Sequence, residues 1–200
     1  MRTDLYKTIK KGATGIYKDK GSKFIAISKH VVNEEEFKVF LEETKKEYYD
    51  ARHHCYAWRL GLEEDKYRSN DDGEPSGSAG KPILNQLQSY EVFNTAVIVV
   101  RYFGGTKLGV SGLISAYKTS TREALEQSTI VKRFIHNTLE VKFKYPRLND
   151  IMRIVKEEKI SISEQIFEIE CLLRLKIKKN DTDRVITRLS SFHDITINQL

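Results

Sequence analysis

The strongest constraint on this fold is an unbroken run of β-branched and small apolar residues that leads into a glycine-rich turn. Thr95–Val100 (TAVIVV) predicts a strand buried on both faces, because a half-exposed strand would alternate apolar with polar positions. Four glycines follow within 104–112, and from Val110 to Leu125 apolar residues recur at helical spacing. The sequence therefore predicts a buried strand, a glycine turn and a helix in that order.

The segments before this strand predict further strands and a helix. Residues 16–27 have a β-rich pattern around a Lys/Gly/Ser turn, which is typical of a hairpin. Asn33 and Glu36 are spaced to cap a helix that has an apolar stripe. His53–Leu60 is aromatic-rich and predicts an extended segment, with a return strand at 66–69.

A second unit follows in the last third of the chain. From Asn137, apolar residues alternate as in a strand, and the pattern stops at Pro146. A helix, two strands, a helix capped by Asp181 and a last strand at 195–197 come next. This β-α-β-β-α-β order is the ferredoxin-like split βαβ pattern. We therefore predict an α+β protein with one domain at 1–134 and a second at 135–200.

Composition excludes several classes of protein. Of the 200 residues, 40% are hydrophobic and 31% charged, which is typical of a globular chain. The longest stretch without a charge, 108–117, is far shorter than the roughly 18 residues that cross a membrane, and MRTDLYKTIKKG lacks the apolar core of a signal peptide. Two distant cysteines exclude a disulfide scaffold and a Cys-rich zinc site. We expect a cytoplasmic protein.

The charge leaves a polyanionic partner open. A net charge of +6 suits nucleic acid, but the excess is spread along the chain, and solubility explains it equally well. Aromatic residues near basic ones would suit base stacking with phosphate contact, namely Tyr56, Trp58, Tyr102 and Phe103 with Arg52, Arg59 and Arg101. Taken singly, Trp58 and Phe103 are predicted to be core residues.

The glycine turn is the first candidate site. Its glycines would let the backbone approach a ligand, and the helix start after it would favour an anion flanked by Arg101 and Lys107. The turn matches neither a Walker A loop nor GxGxxG. The alternative is that these glycines only allow a tight turn and a close contact between helix and sheet. The spacing slightly favours this alternative.

The irregular segment Ser69–Pro82 supplies a second candidate, an acidic loop with Asp71, Asp72 and Glu74. Carboxylates suit a divalent metal or acid–base chemistry, yet an EF-hand fails because the twelfth position from Asp71 is Pro82. A solvated acidic turn is favoured. Asp72 or Glu74 could also bond Arg101 or Lys81 and so order the loop.

The His53-His54-Cys55 run is a third candidate. Neighbouring strand residues point to opposite faces, so only His53 and Cys55 share a face, and no HxxxH or CxxC spacing supports zinc. A buried Cys55 beside a hydrogen-bonded histidine is favoured over a nucleophile. Ser76 lies outside any GxSxG elbow. We find no complete catalytic set and predict no metal and no cofactor.

Four motifs in one order carry a family resemblance: Ser22–Ala26 (SKFIA), His53–Arg59 (HHCYAWR), Asp71–Pro82 (DDGEPSGSAGKP) and Arg101–Gly109 (RYFGGTKLG). Together they resemble the IMPACT (YigZ-type) family over about residues 1–130. The remainder resembles the short C-terminal domain of bacterial members. The departure is Val110-Ser111, where Ala or Gly is usual.

The resemblance implies a fold and a functional setting. It implies a first domain like the second domain of ribosomal protein S5, followed by a ferredoxin-like domain. That pair is similar to the last two domains of elongation factor G, which work against ribosomal RNA. Eukaryotic relatives bind the ribosome-associated activator of a translation-initiation-factor kinase and so restrain the starvation response.

The leading hypothesis is a non-enzymatic protein that binds RNA, the ribosome or translation factors, with regulation of translation as its expected role. The candidate anion-binding residues are Lys81, Arg101, Gly104, Gly105, Lys107, Gly109 and Gly112. The candidate cleft residues are His53, His54, Asp71, Asp72, Glu74 and Ser76.

Two alternatives remain open. One is an enzyme that acts on a small phosphorylated or peptide substrate through Asp72, His54 and Ser76, because the S5-like fold also serves phosphotransferases. The other is a protein–protein regulator whose cleft binds a peptide. Binding that survives nuclease would favour the regulator over RNA binding.

Overall fold

The computed structural model describes residues 4–62 and 65–200. The chain divides into two compact units, Tyr6–Arg133 and Phe134–Leu200, the latter joined by Asp4 and Leu5; we call them the first and second domains. The elements up to residue 134 are, in chain order, β1 (Leu5–Lys11), β2 (Thr14–Asp19), β3 (Ser22–His30), α1 (Glu34–Glu47), β4 (His53–Leu60), β5 (Lys66–Asn70), α2 (Gly80–Ser89), β6 (Thr95–Tyr102), α3 (Gly109–Gln127) and β7 (Thr129–Phe134).

A five-stranded antiparallel sheet forms the centre of the first domain, in the order β2-β3-β6-β4-β5. Residues 95–101 of β6 are all buried, which confirms the predicted doubly buried strand. Successive side chains of a strand point to opposite faces. Val97 and Val99 therefore pack with residues of α2 and α3, whereas Ile98 and Val100 pack with residues of α1.

The local predictions for the hairpin and the first helix are also confirmed. β2 and β3 form a hairpin, with Gly21 at a φ of 78° in its turn. The Asn33 side chain accepts from the Glu36 N–H at 2.8 Å, and the Glu36 carboxylate accepts from the Val32 N–H at 3.0 Å. The sequence did not predict β1 and β7, which pair with each other in a separate two-stranded sheet.

The second domain has the predicted β-α-β-β-α-β order. Its elements are β8 (His136–Lys144), α4 (Leu148–Glu157), β9 (Ser161–Phe167), β10 (Glu170–Lys178), α5 (Thr182–Leu189) and β11 (Ile195–Gln199). The sheet order is β11-β8-β10-β9, so the two outer strands are the second and the last of this domain. Apolar residues of both helices pack with alternate residues of β8 and β10 in one core.

The fold class is as expected: an α+β chain of two domains, the second of which has the ferredoxin-like β-α-β-β-α-β order and sheet. In the first domain, the central sheet has helices on both faces. Among the described residues, no helix combines the length and the apolar character that a membrane span requires.

Candidate functional site

The strand register brings three candidate side chains together. His53 of β4 and Phe24 of β3 both lie opposite Arg101 of β6. Residues directly opposite in neighbouring strands project from the same face of a sheet. Phe24 belongs to the core that α2 and α3 cover, so His53 and Arg101 also project toward these helices.

Asp71 holds the acidic loop onto the start of α2. One carboxylate oxygen accepts from the N–H groups of Ala79 at 3.0 Å and Gly80 at 2.8 Å, and the other accepts from Gly77 at 2.8 Å. The N-cap residue of α2 is Ala79, which has no side-chain oxygen to bond these groups. Asp71 therefore caps α2, although it lies eight residues before the N-cap residue Ala79.

Asp72 makes the tight turn of the same loop. Asp72 and Gly73 both have positive φ, 43° and 85°, and the Glu74 N–H donates to the Asp71 carbonyl at 2.9 Å. This is the geometry that Asp-Gly pairs favour. The Asp72 carboxylate accepts from the His54 backbone N–H at 2.6 Å, which ties the loop to β4.

Glu74 and Arg101 form a buried ion pair beneath the loop. Arg101 Nη1 donates to Glu74 Oε1 at 2.6 Å, and the two side chains are 8% and 3% exposed. The Tyr117 hydroxyl of α3 donates to the same oxygen at 2.8 Å. The predicted bond from Glu74 to Arg101 is confirmed. As a consequence, the Arg101 charge is largely compensated inside the protein and is not presented at the surface as a free phosphate ligand.

One guanidinium nitrogen of Arg101 is not used in these hydrogen bonds. Its Nε is buried and has no hydrogen-bond partner among the residues that the structure describes. The guanidinium lies over two rings, 5.5 Å from the centroid of Phe24 and 5.6 Å from that of Phe103. Arg101 therefore supports the Phe103 ring by a cation–π contact from below.

The Cys55 thiol lies in this buried cluster. It is 3.0 Å from the Asp71 carbonyl oxygen and 3.2 Å from the Tyr117 hydroxyl. Burial raises the pKa of Cys55 well above its usual range, and burial likewise raises the pKa of Tyr117. Both groups therefore stay neutral at physiological pH, which matches the expectation of an inert, buried Cys55.

An open cleft of about 410 Å³ lies where β6 passes into the glycine turn. Its lining combines basic and apolar groups around the Glu74–Arg101 pair. The basic lining residues are Arg52, His53, Arg101 and Lys107. The apolar ones are Pro75, Phe103, Leu108, Val110 and Leu113.

Arg52 and Lys107 are the cations that this cleft presents to solvent. Both side chains are exposed, and no hydrogen bond or ion pair joins either to another residue within 4–62 or 65–200. His53 also lines the cleft, and its Nδ1 is 2.8 Å from the Asp72 carbonyl oxygen. That contact places the Nδ1 proton toward the loop.

The four turn positions suit glycine for different structural reasons. A Cβ on Gly104 would lie 1.9 Å from the carbonyl carbon of Gly21, so this glycine permits close packing on the β2–β3 hairpin. On Gly112, a Cβ would lie 3.0 Å from the Cβ of Leu108. Gly105 and Gly109 have φ of 86° and 73°, and a Cβ on either would have no neighbouring atom within 4 Å. Only these last two leave open space where a ligand could approach the backbone.

The remaining candidates lie outside the described lining of the cleft. Lys81 is exposed in the first turn of α2. His54 is buried, its Nε2 is 3.2 Å from the Tyr48 carbonyl oxygen, and burial lowers its pKa below the usual value. Ser76 is exposed on the loop. Within the described part of the chain, no three His, Cys, Asp or Glu residues are grouped as metal ligands.

Sequence reasoning missed the residues that give this cleft its character. Phe103 was predicted to be a core residue, but its ring is 54% exposed, whereas Trp58 is buried as expected. Arg52 was considered only as a basic neighbour of aromatic residues, for phosphate contact beside base stacking, and was not included in the candidate site. Its position directly before His53 was the available signal, because the β4–β6 register brings that strand start to the end of β6.

Comparison with known proteins covers most of the chain. Residues 20–125 match the model of the Impact N-terminal domain. The IMPACT family member YvyE of Bacillus subtilis is 35% identical over 159 residues, covering 80% of this chain and 73% of that protein. YigZ of Escherichia coli, also an IMPACT family member, is 34% identical over 175 residues, covering 86% of each.

Two solved structures are similar to part or all of this chain. The structure of the two-domain translational regulator Yih1 matches at 26% identity over 59% of this chain and 47% of that one, with a TM-score of 0.40. A crystal structure described as that of a hypothetical protein is 30% identical and extends the likeness to both domains, with a TM-score of 0.76 over 98% of this chain and 97% of that one. The match to the Impact N-terminal domain and the identity to YvyE and YigZ show that the chain belongs to the IMPACT family.

Proposed function

We propose that this chain is a non-enzymatic binding protein of the translation machinery, whose first domain binds RNA phosphate at the cleft. The observation that carries this proposal is a pair of exposed cations on one cleft, Arg52 and Lys107, neither of which pairs with another residue of the described ranges. Unpaired surface cations attract phosphate without first breaking an internal ion pair. Such a partner implies a cytoplasmic protein.

The start of α3 supports an anion at the same place. Leu108 and Gly109 line the cleft, and α3 begins at Gly109. No side chain caps this helix start, and its first turn contains no acidic residue. The free N–H groups and the positive end of the helix dipole therefore add to the field of the two cations.

The bonding of the acidic loop favours binding over catalysis. An enzyme would need Asp72, His54 or Ser76 to act as a base or nucleophile on a substrate in the cleft. The Asp72 carboxylate instead bonds a backbone N–H, and the His54 ring is turned to a backbone carbonyl. No hydrogen bond among the described residues joins the side chains of these three.

The setting in translation follows from the family resemblance of both domains to the last two domains of elongation factor G. The protein is small, and its cleft is of a size for one segment of a larger partner rather than for a duplex lying along it. We therefore assign the RNA contact to ribosomal or ribosome-associated RNA.

Co-sedimentation with ribosomes tests this function. We expect the wild-type protein to pellet with ribosomes at low salt and to be released as salt rises, because phosphate contacts are weakened by salt. Arg52→Gln/Lys107→Gln should lose most of the bound fraction. Lys38→Gln/Lys46→Gln, which removes two exposed lysines from α1 on the opposite face of the sheet, is the matched control.

Two outcomes would contradict the proposal. Equal pelleting of Arg52→Gln/Lys107→Gln and the control variant would exclude the cleft as the binding site. Binding of a partner from the same extract that persists after nuclease treatment, with no binding to ribosomal RNA, would identify a peptide partner instead.

A further inference from the structure

We propose that the cleft binds a single unpaired nucleotide of its RNA, with the base stacked on Phe103 and a phosphate between Arg52, Lys107 and the start of α3. This inference rests on the proposed function and adds the kind of RNA that is recognised. It predicts a preference for single-stranded over duplex RNA.

The first argument is the exposed ring of Phe103. This residue follows directly after β6, and 54% of its surface is exposed, although it lies beside a large apolar core. The Arg101 guanidinium, 5.6 Å from the ring centroid, holds the ring from the protein side. A supported, half-exposed aromatic face beside cations is how proteins stack single-stranded bases.

The second argument is the apolar character of the lining. A site for phosphate alone needs donors and cations, but this cleft also presents Pro75, Leu108, Val110 and Leu113. Val110 is itself 53% exposed. Such a surface favours a flat apolar group next to the anion, and a nucleotide combines both. In duplex RNA the base faces are stacked on one another and are unavailable to an aromatic side chain.

The third argument is the unsatisfied Arg101. Its side chain is 92% buried, it lines the cleft, and its Nε lacks a partner within 4–62 and 65–200. A buried donor without a partner is costly, so a ligand group that accepts from this Nε would gain more than one that finds every donor already satisfied. The unpartnered Nε of Arg101 is therefore a second observation, independent of the start of α3, that favours a ligand in this cleft.

The size of the cleft limits the ligand to one nucleotide. A volume of about 410 Å³ is within the range of sites for single small molecules. The His53 ring lies in the same lining, with Nδ1 directed to the Asp72 carbonyl, so its Nε2 is the nitrogen available to a ribose or base group. The remainder of the strand would contact the protein outside the cleft.

Fluorescence anisotropy with the full chain tests the inference. The probe is a labelled ten-residue oligoadenylate, measured single-stranded and annealed to its complement. We expect the single strand to bind roughly tenfold more tightly than the duplex, since one stacked base contributes about 1–3 kcal/mol. Phe103→Leu should remove this preference and leave duplex binding within about twofold. Tyr67→Leu, which removes an exposed aromatic ring from β5, is the control.

Three other outcomes would contradict the nucleotide site, the proposed RNA binding or both. Equal binding of both strand forms, unchanged in Phe103→Leu, would overturn the nucleotide site and leave the proposed RNA binding intact. No binding of either form at low salt would overturn both. Free adenosine monophosphate that competes as effectively as the oligonucleotide would overturn the assignment to RNA and identify a free nucleotide as the ligand.

Discussion

At the residue scale, the Glu74–Arg101 pair connects the loop, the sheet and α3. Glu74 belongs to the acidic loop, Arg101 to β6 and Tyr117 to α3, and all three meet at one carboxylate oxygen. Burial of an ion pair adds little net stability, but removal of one partner leaves a buried charge without compensation. The pair therefore fixes the position of the loop relative to the cleft.

Substitution of Arg101 should be much more damaging than removal of the whole pair. We expect Arg101→Met to lower the free energy of unfolding by about 3–5 kcal/mol, because Glu74 is left buried and unpaired. Arg101→Met/Glu74→Gln should lose less, since the glutamine is neutral and still accepts from Tyr117. Urea denaturation followed by Trp58 fluorescence measures this, as Trp58 is the only tryptophan and is buried in the first domain. An additive loss in the double variant would contradict the coupling.

His54 should make the first domain less stable in mild acid. Burial lowers the pKa of His54 below the usual 6.5. Below pH 6.5 the imidazole is therefore protonated more readily in the unfolded chain than in the folded protein. The free energy of unfolding should therefore fall as pH decreases through about 6.5. His54→Gln should reduce this fall, measured as denaturation midpoints of Trp58 fluorescence from neutral to mildly acidic pH. The exposed His136→Gln is the control, and an unchanged pH profile in His54→Gln would contradict the prediction.

At the element scale, the turn between β6 and α3 has two functions. Gly104 packs its backbone against the β2–β3 hairpin, and its N–H donates to the Ser22 hydroxyl at 3.1 Å. Gly105 and Gly109 instead supply positive φ on the open side. The sequence left two interpretations of these glycines open, close packing or an approach for a ligand. The structure assigns close packing to Gly104 and an open backbone to Gly105 and Gly109.

Alanine substitutions separate these roles. Gly104→Ala should lower the free energy of unfolding of the first domain by about 3 kcal/mol, because its Cβ would meet backbone atoms of Gly21 and Ser22. Gly105→Ala should cost about 1–2 kcal/mol, since only the positive φ opposes the new side chain. Urea denaturation of both variants provides the comparison. A larger loss in Gly105→Ala would contradict the packing assignment.

Local periodicity explains which elements could be predicted. β6 and the helices carry their pattern within one short segment, as does the β-α-β-β-α-β order of the second domain. β1 is Lys-rich, with only Thr8 and Ile9 buried, and it pairs with β7 more than 100 residues away. No local pattern encodes such a pairing.

The cleft was less predictable for a related reason. Their positions on either side of the glycine turn identified Arg101 and Lys107, but a single sequence does not show that Glu74 compensates Arg101 and not Lys107. The sequence likewise does not show that Phe103, directly after the buried strand β6, is 54% exposed. Both facts come from register and packing between segments that are distant in sequence.

At the scale of the whole molecule, the net charge of +6 does not mark a binding surface by itself. In the second domain, Arg174 pairs with Glu140 and Glu164, and Lys142 pairs with Glu140. These cations share one sheet face with the carboxylates that compensate them, which lowers the attraction of Arg174 and Lys142 for phosphate. In the cleft of the first domain, Arg52 and Lys107 are exposed and have no ion pair with another residue of the described ranges. We therefore keep this cleft as the proposed place for RNA.

The salt dependence of RNA binding decides whether this cleft holds phosphate. Affinity for a single-stranded oligonucleotide is measured between about 50 and 200 mM salt, because each phosphate contact contributes about 0.7 to the slope of log affinity against log salt. Arg52→Gln/Lys107→Gln should reduce the magnitude of that slope by about 1.4, while Lys38→Gln/Lys46→Gln should leave it unchanged. If the slopes of wild type and Arg52→Gln/Lys107→Gln are equal, the two cations do not contact phosphate and the cleft is not the RNA site.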